Sequence, residues 1–422
     1  MEYKRIEDNT YMIVPDDQES GIIIYAPLSE LVLQCAPDDV ARLEMALDGN
    51  AQDEETEQIA KLIQEQTLQA PSPVLDPKYY KKLSILSNYK CNLSCSYCYS
   101  AKGRSDKEIS PDSIRAAIGF LLSNASEGEK LSLFFSGGGE PLLSWKMILP
   151  VLAEMLEKAT VKSVNMAVHF MSNGTIYVQE VADFFKDNGI TLCISYEILD
   201  RYQSSLRGKA GIVKENIRRY LANGNIVYIS STITPLSVSG LVEMVKTVAE
   251  AFPGIQTVTM EPVTGQHLFE TPKAMEEFYR QFDDNFQKAC MLAESHGIEL
   301  NTSTKNITSH IVDRYCPGKL CLTPTSRFTI CHCASSPNED RYEKCTYGFI
   351  DGNGGVNFDI GKFRSLTGIG HERYPECKDC FARIHCGGEC MTRRDTYAPE
   401  FMRVVCERTR RLILDELKES LR

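Results

Sequence analysis

The stretch Cys91-Asn92-Leu93-Ser94-Cys95-Ser96-Tyr97-Cys98 follows directly on a short apolar run at 83–86, and its reading decides the rest of the chain. Three thiolates this close on one loop can hold three irons of a [4Fe–4S] cube. The fourth iron then has no protein ligand and is open to a small molecule, whereas a purely structural zinc site takes four protein ligands. Further short apolar strands are expected at 131–135, 164–171, 191–196, 226–233 and 257–261. Helical patterns separate them at 111–124, 144–159, 177–188, 213–223 and 241–252, and an amphipathic segment at 272–296 closes the series. Such alternation predicts parallel strands joined by right-handed crossovers, in a partial barrel or an open α/β sheet. Chemistry in both sits beyond the carboxyl ends of the strands, where the cysteine stretch lies.

Outward from this unit the texture changes on both sides. Residues 1–78 read as a small α+β module with strands at 11–15 and 21–25 and helices at 38–47 and 54–66. It ends in a linker at 70–77 that contains Pro71, Pro73 and Pro77. Residues 79–298 form the alternating unit. Residues 299–422 carry cysteines, turns, short strands at 328–330 and 348–356, and a last helix at 408–421. Of the 16 cysteines in 422 residues, three fall between Cys91 and Cys98, four between Cys316 and Cys333, and four between Cys377 and Cys390, with Cys406 beyond. Bunching of this kind in a reducing compartment points to metal or redox work. Cys35, Cys193, Cys290 and Cys345 stand apart and read as small apolar residues or incidental thiols. The formal net charge of -11 argues against non-specific nucleic-acid binding. No apolar run is long enough for a bilayer, and the charged first residues lack a signal peptide, so a cytoplasmic protein without a membrane partner is expected.

The loops after the next strands carry companions. Ser136-Gly137-Gly138-Gly139-Glu140-Pro141 follows the second, Ser172-Asn173-Gly174-Thr175 the third, and Ser195-Tyr196-Glu197, leading to Arg207, the fourth. With these, the CxxxCxxC spacing resembles the radical S-adenosylmethionine (SAM) superfamily over residues 81–422. The resemblance implies an α/β fold, a partial (β/α)6 barrel with the N-terminal module and a cysteine-rich C-terminal domain. It also implies SAM on the open iron and its reductive cleavage to a 5′-deoxyadenosyl radical. Tyr97 would lie against the adenine. Gly138, Gly139, Glu140 and Pro141 would form the loop that binds the SAM amino group, and Ser172 and Asn173 belong to a similar turn. Ser195 and Arg207 would contact ribose and carboxylate. Glu197 and Ile198 stand where peptide-modifying members have Asp-Gly.

The array Cys377-x2-Cys380-x5-Cys386-x3-Cys390, with Cys406 after a gap, resembles the SPASM domain, which holds two auxiliary [4Fe–4S] clusters. Its upstream half fits Cys316 to Cys331, with Ser326 at the usual glycine. The resemblance implies an outer cluster on Cys377, Cys380, Cys386 and Cys406. An inner one would sit on Cys316, Cys331 and Cys390, its fourth ligand Cys321, Cys333 or an open position. Three [4Fe–4S] clusters and SAM are therefore expected. So is a peptide or protein substrate, possibly with a leader that the N-terminal module binds by strand addition, unless that module is only a packing cap. The expected reaction is a thioether or carbon–carbon crosslink. A reductase, flavodoxin or ferredoxin would supply electrons. One alternative is an anaerobic sulfatase-maturing enzyme. Its proposed aspartate base is replaced here by His332, which can also take a proton near neutrality. Others are a non-catalytic electron carrier or leader-binding pseudoenzyme, and a structural zinc protein.

Overall fold

The computed structural model describes residues 1–17 and 21–422. At the N-terminus, β1 (Glu2–Glu7), β2 (Thr10–Val14), β3 (Ile22–Ala26) and β4 (Leu31–Cys35) form an antiparallel sheet in that order. Period-two alternation gives the sheet two apolar faces. Ile24 and Ala26 pack on Val40, Leu43 and Ile63 of the helices Pro37–Leu47 and Glu54–Gln64. Tyr11, Ile13, Ile23 and Tyr25 pack on Phe381, Ile413 and Leu414 of the C-terminal region. The sheet has twice the strands expected, because β1 alternates charged residues on its outer side and β4 is only half-buried. β1 thus lacks the apolar signature of a covered strand.

The parallel strands are β5 (Lys82–Ile85), β6 (Lys130–Phe135), β7 (Asn165–Ser172), β8 (Thr191–Ser195), β9 (Ile226–Ile233), β10 (Thr257–Pro262) and β11 (Glu299–Asn301), neighbours in chain order. Crossover helices cover one face. Their Ile114, Leu152, Val181, Ile217, Val245 and Phe282 bury against strand residues such as Leu83, Leu133, Phe170, Leu192, Ile229 and Val258. The alternate residues Ser84, Phe134, His169 and Thr191 lie in register on the other face, the inside of the half-barrel. A short helix, Asp200–Leu206, not expected from the sequence, precedes Arg207.

The C-terminal region continues this sheet past β5. β12 (Leu320–Leu322) pairs parallel with β5, and β13 (Arg327–Thr329), β14 (Thr346–Ile350) and β15 (Val356–Phe358) follow antiparallel. The stretch expected as one strand at 348–356 is two, because the Asp351 carboxylate accepts the N–H groups of Asn353 and Gly355 and turns the chain. The last helix, Pro399–Ser420, begins well before residue 408, with Pro399 in its first turn. Cys406 therefore projects from a helix. Arg408 and Arg411 of that helix share Asp283 of the helix Pro272–Ser295. Among the described residues no helix is long and apolar enough to cross a membrane.

Candidate active site

The loop after β5 brings Cys91, Cys95 and Cys98 together, each half-buried, around a cavity of about 520 Å³ that also has Lys90 and Arg104 in its wall. The Cys98 N–H donates to the Cys95 carbonyl at 3.2 Å, forming one tight turn. Arg104 Nη2 lies 3.2 Å from Cys98 Sγ, and Asn173 Nδ2 lies 3.7 Å from Cys91 Sγ. The same Asn173 amide donates to Asn92 Oδ1 at 2.8 Å, and its oxygen accepts from the Thr175 N–H and hydroxyl. The turn after β7 is thereby stitched to the cysteine loop.

The glycine loop after β6 leans on the same segment. Gly139 N–H donates to the Asn88 carbonyl at 2.9 Å and Glu140 N–H to the Lys90 carbonyl at 2.7 Å. A Cβ on Gly139 would stand 1.8 Å from the Lys90 carbonyl oxygen, so only glycine fits. The Glu140 carboxylate points inward. It accepts from Leu142 N–H, Ser172 Oγ and Asn173 N–H at 3.1, 2.8 and 2.6 Å. Burial pushes this carboxyl above its ordinary range while those donors pull it back. Pro141 opens the short turn that follows.

At the end of β8, Ser195 pairs with Ser230 of β9. Glu197 is fully buried, and its carboxylate accepts from the Tyr97 and Ser231 hydroxyls, the latter at 2.9 Å. Arg207 Nη1 lies 3.0 Å from the Tyr97 hydroxyl and 3.5 Å from Glu197. Burial raises the Glu197 carboxyl, with Arg207 working the other way. Arg207 Nε is buried without an acceptor, so the guanidinium keeps one donor for a ligand. Ile198 adopts φ +61°, the left-handed conformation natural to the glycine of the related motif. The departure from Asp-Gly thus changes the side chains while the backbone still takes a glycine-like φ.

In the C-terminal region Cys377, Cys380, Cys386 and Cys406 line one cavity of about 1110 Å³. Arg394 Nη2 lies 3.5 Å from Cys377 Sγ, and Arg410 Nη1 lies 4.0 Å from Cys380 Sγ. Burial pushes the Cys377 thiol up to about 11. Cys390 belongs to a second group. It and Cys331 act electrostatically on both Cys316 and Cys333, and a hydrogen bond from Cys333 pulls Cys331 down to about 6. Cys321, fully buried on β12 opposite Ser84, also feels Cys331, so both candidates for a fourth position stand beside this group. Ser326 takes φ +59°, keeping a glycine-like turn there too. Among the described residues no three His, Cys, Asp or Glu side chains converge tightly enough for a single metal ion. Thiols gathered around larger spaces, with guanidinium groups beside the sulfurs of Cys98, Cys377 and Cys380, suit the wider cube of an iron–sulfur cluster.

His332 stands between Cys331 and Cys333 in the chain and faces the loop that follows Cys98. Its ring meets Tyr99 edge-on at 5.4 Å, and its Nδ1 is 3.0 Å from Lys319 Nζ. An ammonium can only donate, so Nδ1 accepts and the neutral ring carries its proton on Nε2. Burial and Lys319 push His332 down to about 3. Of the isolated cysteines, Cys193 and Cys345 are buried, and Cys35 and Cys290 half-buried. Arg104, Asn92, Ser231 and Lys319 escaped the sequence reading, since each reaches the site through the fold and no fixed spacing marks it.

Residues 85–251 match the radical SAM superfamily. A cysteine-type anaerobic sulfatase-maturating enzyme of Clostridium novyi is 28% identical over 162 residues, 35% of this chain and 43% of that protein, so the match spans less than half of that relative. An uncharacterized protein of Methanocaldococcus jannaschii is 26% identical over 204 residues, 47% of this chain and 68% of that one. Among solved structures, native anSMEcpe with bound AdoMet superposes with a TM-score of 0.61 at 16% identity, over 81% of this chain and 100% of that one. Streptococcus suis SuiB bound to its precursor peptide SuiA superposes with a TM-score of 0.56 at 14% identity, over 94% and 98%. Residues 85–251 thus form a radical SAM domain, which implies SAM and a [4Fe–4S] cluster, and the chain shares the fold of these solved structures.

Proposed function

We propose that this enzyme matures a peptide or protein by hydrogen abstraction followed by oxidation, forming a thioether or carbon–carbon crosslink. The observation that carries the reading is the single cavity lined by Cys377, Cys380, Cys386 and Cys406, with a second thiol group of Cys316, Cys331, Cys333 and Cys390 nearer the barrel. Two auxiliary [4Fe–4S] clusters there, the inner one completed by Cys321 or Cys333, would carry electrons away from the substrate. Cys91, Cys95 and Cys98 would hold the catalytic cluster. When bound, that cluster and SAM supply the 5′-deoxyadenosyl radical that takes the hydrogen atom.

The chain's own residues supply the binding. Arg207 offers its free Nε–H to the SAM carboxylate, a geometry suited to bidentate pairing. Glu197 and Tyr97 fix that guanidinium in place, with the Tyr97 ring against the adenine and Ser195 at the ribose. Glu140, Ser172 and Asn173 brace the loop of Gly138, Gly139 and Pro141, so that its backbone faces the SAM amino group. The peptide substrate draws support from the solved neighbours that contain peptides. Among the described residues β1 and β4 are the edge strands of the N-terminal sheet, and a leader would be taken up there by strand addition. A flavodoxin, ferredoxin or reductase would supply the electron.

Formylglycine formation is the second reading, favoured by the sulfatase-maturating relative. Against it, His332 holds its proton on Nε2 and accepts from Lys319 on Nδ1, so it serves as a donor where that reaction wants a base. The test is iron and sulfide per chain after anaerobic purification, with 5′-deoxyadenosine as the product of SAM cleavage. About twelve irons in the wild type, falling to about eight when Cys91, Cys95 and Cys98 become Ala, together with loss of deoxyadenosine, is expected. About four irons in the wild type would refute the two auxiliary clusters. Among peptide products, a crosslink leaves no aldehyde, while formylglycine condenses with a hydrazine probe.

A further inference from the structure

Arg104 lies outside every motif of the cysteine loop, yet its side chain returns to it. Nη2 donates to Cys98 Sγ at 3.2 Å, and Nη1 is buried with no partner. The guanidinium shares the wall of the cavity with Cys91, Cys95 and Cys98.

The turn that carries Arg104 is held from outside the barrel. The Gly103 carbonyl accepts from Ser336 Oγ at 3.1 Å, and a Cβ on Gly103 would come within 2.8 Å of Ser336 Cβ and of Glu339 Oε1. Lys102 pairs with Asp340 at 2.6 Å, an exposed contact that adds little by itself. The segment following Cys333 therefore fixes where Arg104 can point. A guanidinium stays charged at any relevant pH, so this is a permanent cation at the sulfur of Cys98.

We propose that Arg104 is a positioning residue that sets how readily the cluster on Cys91, Cys95 and Cys98 accepts its electron, with Nη2 on the Cys98 sulfur and the unpartnered Nη1 as a second donor to the same sulfur-rich site. The inference rests on reading those cysteines as cluster ligands. Reduction adds negative charge to a site that already carries three thiolates. A fixed cation with N–H groups on sulfur stabilises the reduced form more than the oxidised one, and net charge and hydrogen bonds to sulfur are known levers on such potentials.

The experiment is an EPR-monitored redox titration of the anaerobically reconstituted full chain, following the signal that changes when SAM is added. Arg104→Met is expected to make that cluster about tenfold harder to reduce, a midpoint more negative by about 59 mV. Arg104→Lys, which keeps the charge, should stay closer to wild type, and signals that ignore SAM should not move. An unchanged midpoint in Arg104→Met overturns the inference. Should Arg104→Met fail to hold iron in the barrel, retention by Arg104→Lys supports the inference, and equal loss in both overturns it in favour of a role in shape alone. A wild type with iron but no SAM-responsive signal overturns the cluster reading itself, and this inference with it.

Discussion

Replacing Gly139 by Ala tests how the glycine loop after β6 and the cysteine loop hold each other. The new Cβ would sit 1.8 Å from the Lys90 carbonyl oxygen, 2.2 Å from Asn88 Oδ1 and 2.7 Å from the Lys90 carbonyl carbon. Two of these are backbone atoms, so no rotamer change relieves the clash, and the chain from Asn88 to Lys90 must move away. Three hydrogen bonds span that gap: Gly139 N–H to Asn88, Glu140 N–H to Lys90, and Asn88 Nδ2 to the Glu140 carbonyl at 3.0 Å. At about 1 kcal/mol each, their loss destabilises the local arrangement by about 3 kcal/mol, or two powers of ten in its population. Lys90 adjoins Cys91, so the first consequence is a displaced thiol. Expected are loss of about four irons per chain, with the other irons retained, and SAM affinity at least tenfold weaker by equilibrium dialysis. Gly119→Ala is the control. It lies in the helix Pro111–Ser123 with nothing near its Cβ, and should stabilise by about 0.5–1 kcal/mol. Full iron and unchanged SAM affinity in Gly139→Ala would refute the reasoning.

Glu197→Ala leaves the buried Arg207 without its carboxylate and strands the Ser231 hydroxyl. A destabilisation of about 3–5 kcal/mol is expected in thermal melting, against about 1 kcal/mol for Ser231→Ala, and equal effects would contradict the buried pairing. Asp283→Ala removes the shared partner of Arg408 and Arg411, all of them largely buried, and loosens the helix that carries Cys406. A loss of about 3 kcal/mol, with iron leaving the outer site before the barrel on urea titration, is expected, and simultaneous release would argue against it. Cys377→Ala should impair product formation more than deoxyadenosine formation. Equal loss of both would instead assign the outer thiols a folding role.

The parallel sheet was legible because each strand from β5 to β10 is covered on its helix side by apolar residues and ends in a loop rich in glycine, serine or cysteine. Short strands were not. β12 has three residues, and nothing local says that it will add to β5; its pairing is decided by the sheet edge that β5 leaves open. The N-terminal edge β1 escaped because a half-covered strand can carry charges, as Glu2, Lys4, Arg5 and Glu7 show. Spacing identified which cysteines form sets, yet it could not decide between Cys321 and Cys333. Both approach Cys331, one by way of β12 and the other through a two-residue step, and only the course of the chain between them brings that about.

The two departures from the related motifs show how far residue type and backbone shape can separate. Ile198 and Ser326 both stand in the left-handed region where glycine would be at ease, at about 1–2 kcal/mol each for a residue with a Cβ. Ile198 is fully buried, and burying such a side chain contributes about 1.5–3 kcal/mol, enough to offset the strain. Ser326 Oγ bonds to Ser113 Oγ at 2.7 Å, tying β13 to the first crossover helix. In each case a contact available only in the folded chain holds a turn that local preference opposes. The same dependence explains Glu197. As a glutamate it is one methylene longer than the aspartate of the related motif, and it reaches Tyr97, Arg207 and Ser231 together. The Arg207 guanidinium is thereby locked by an inward carboxylate, while its Nε–H stays without a partner among the described residues.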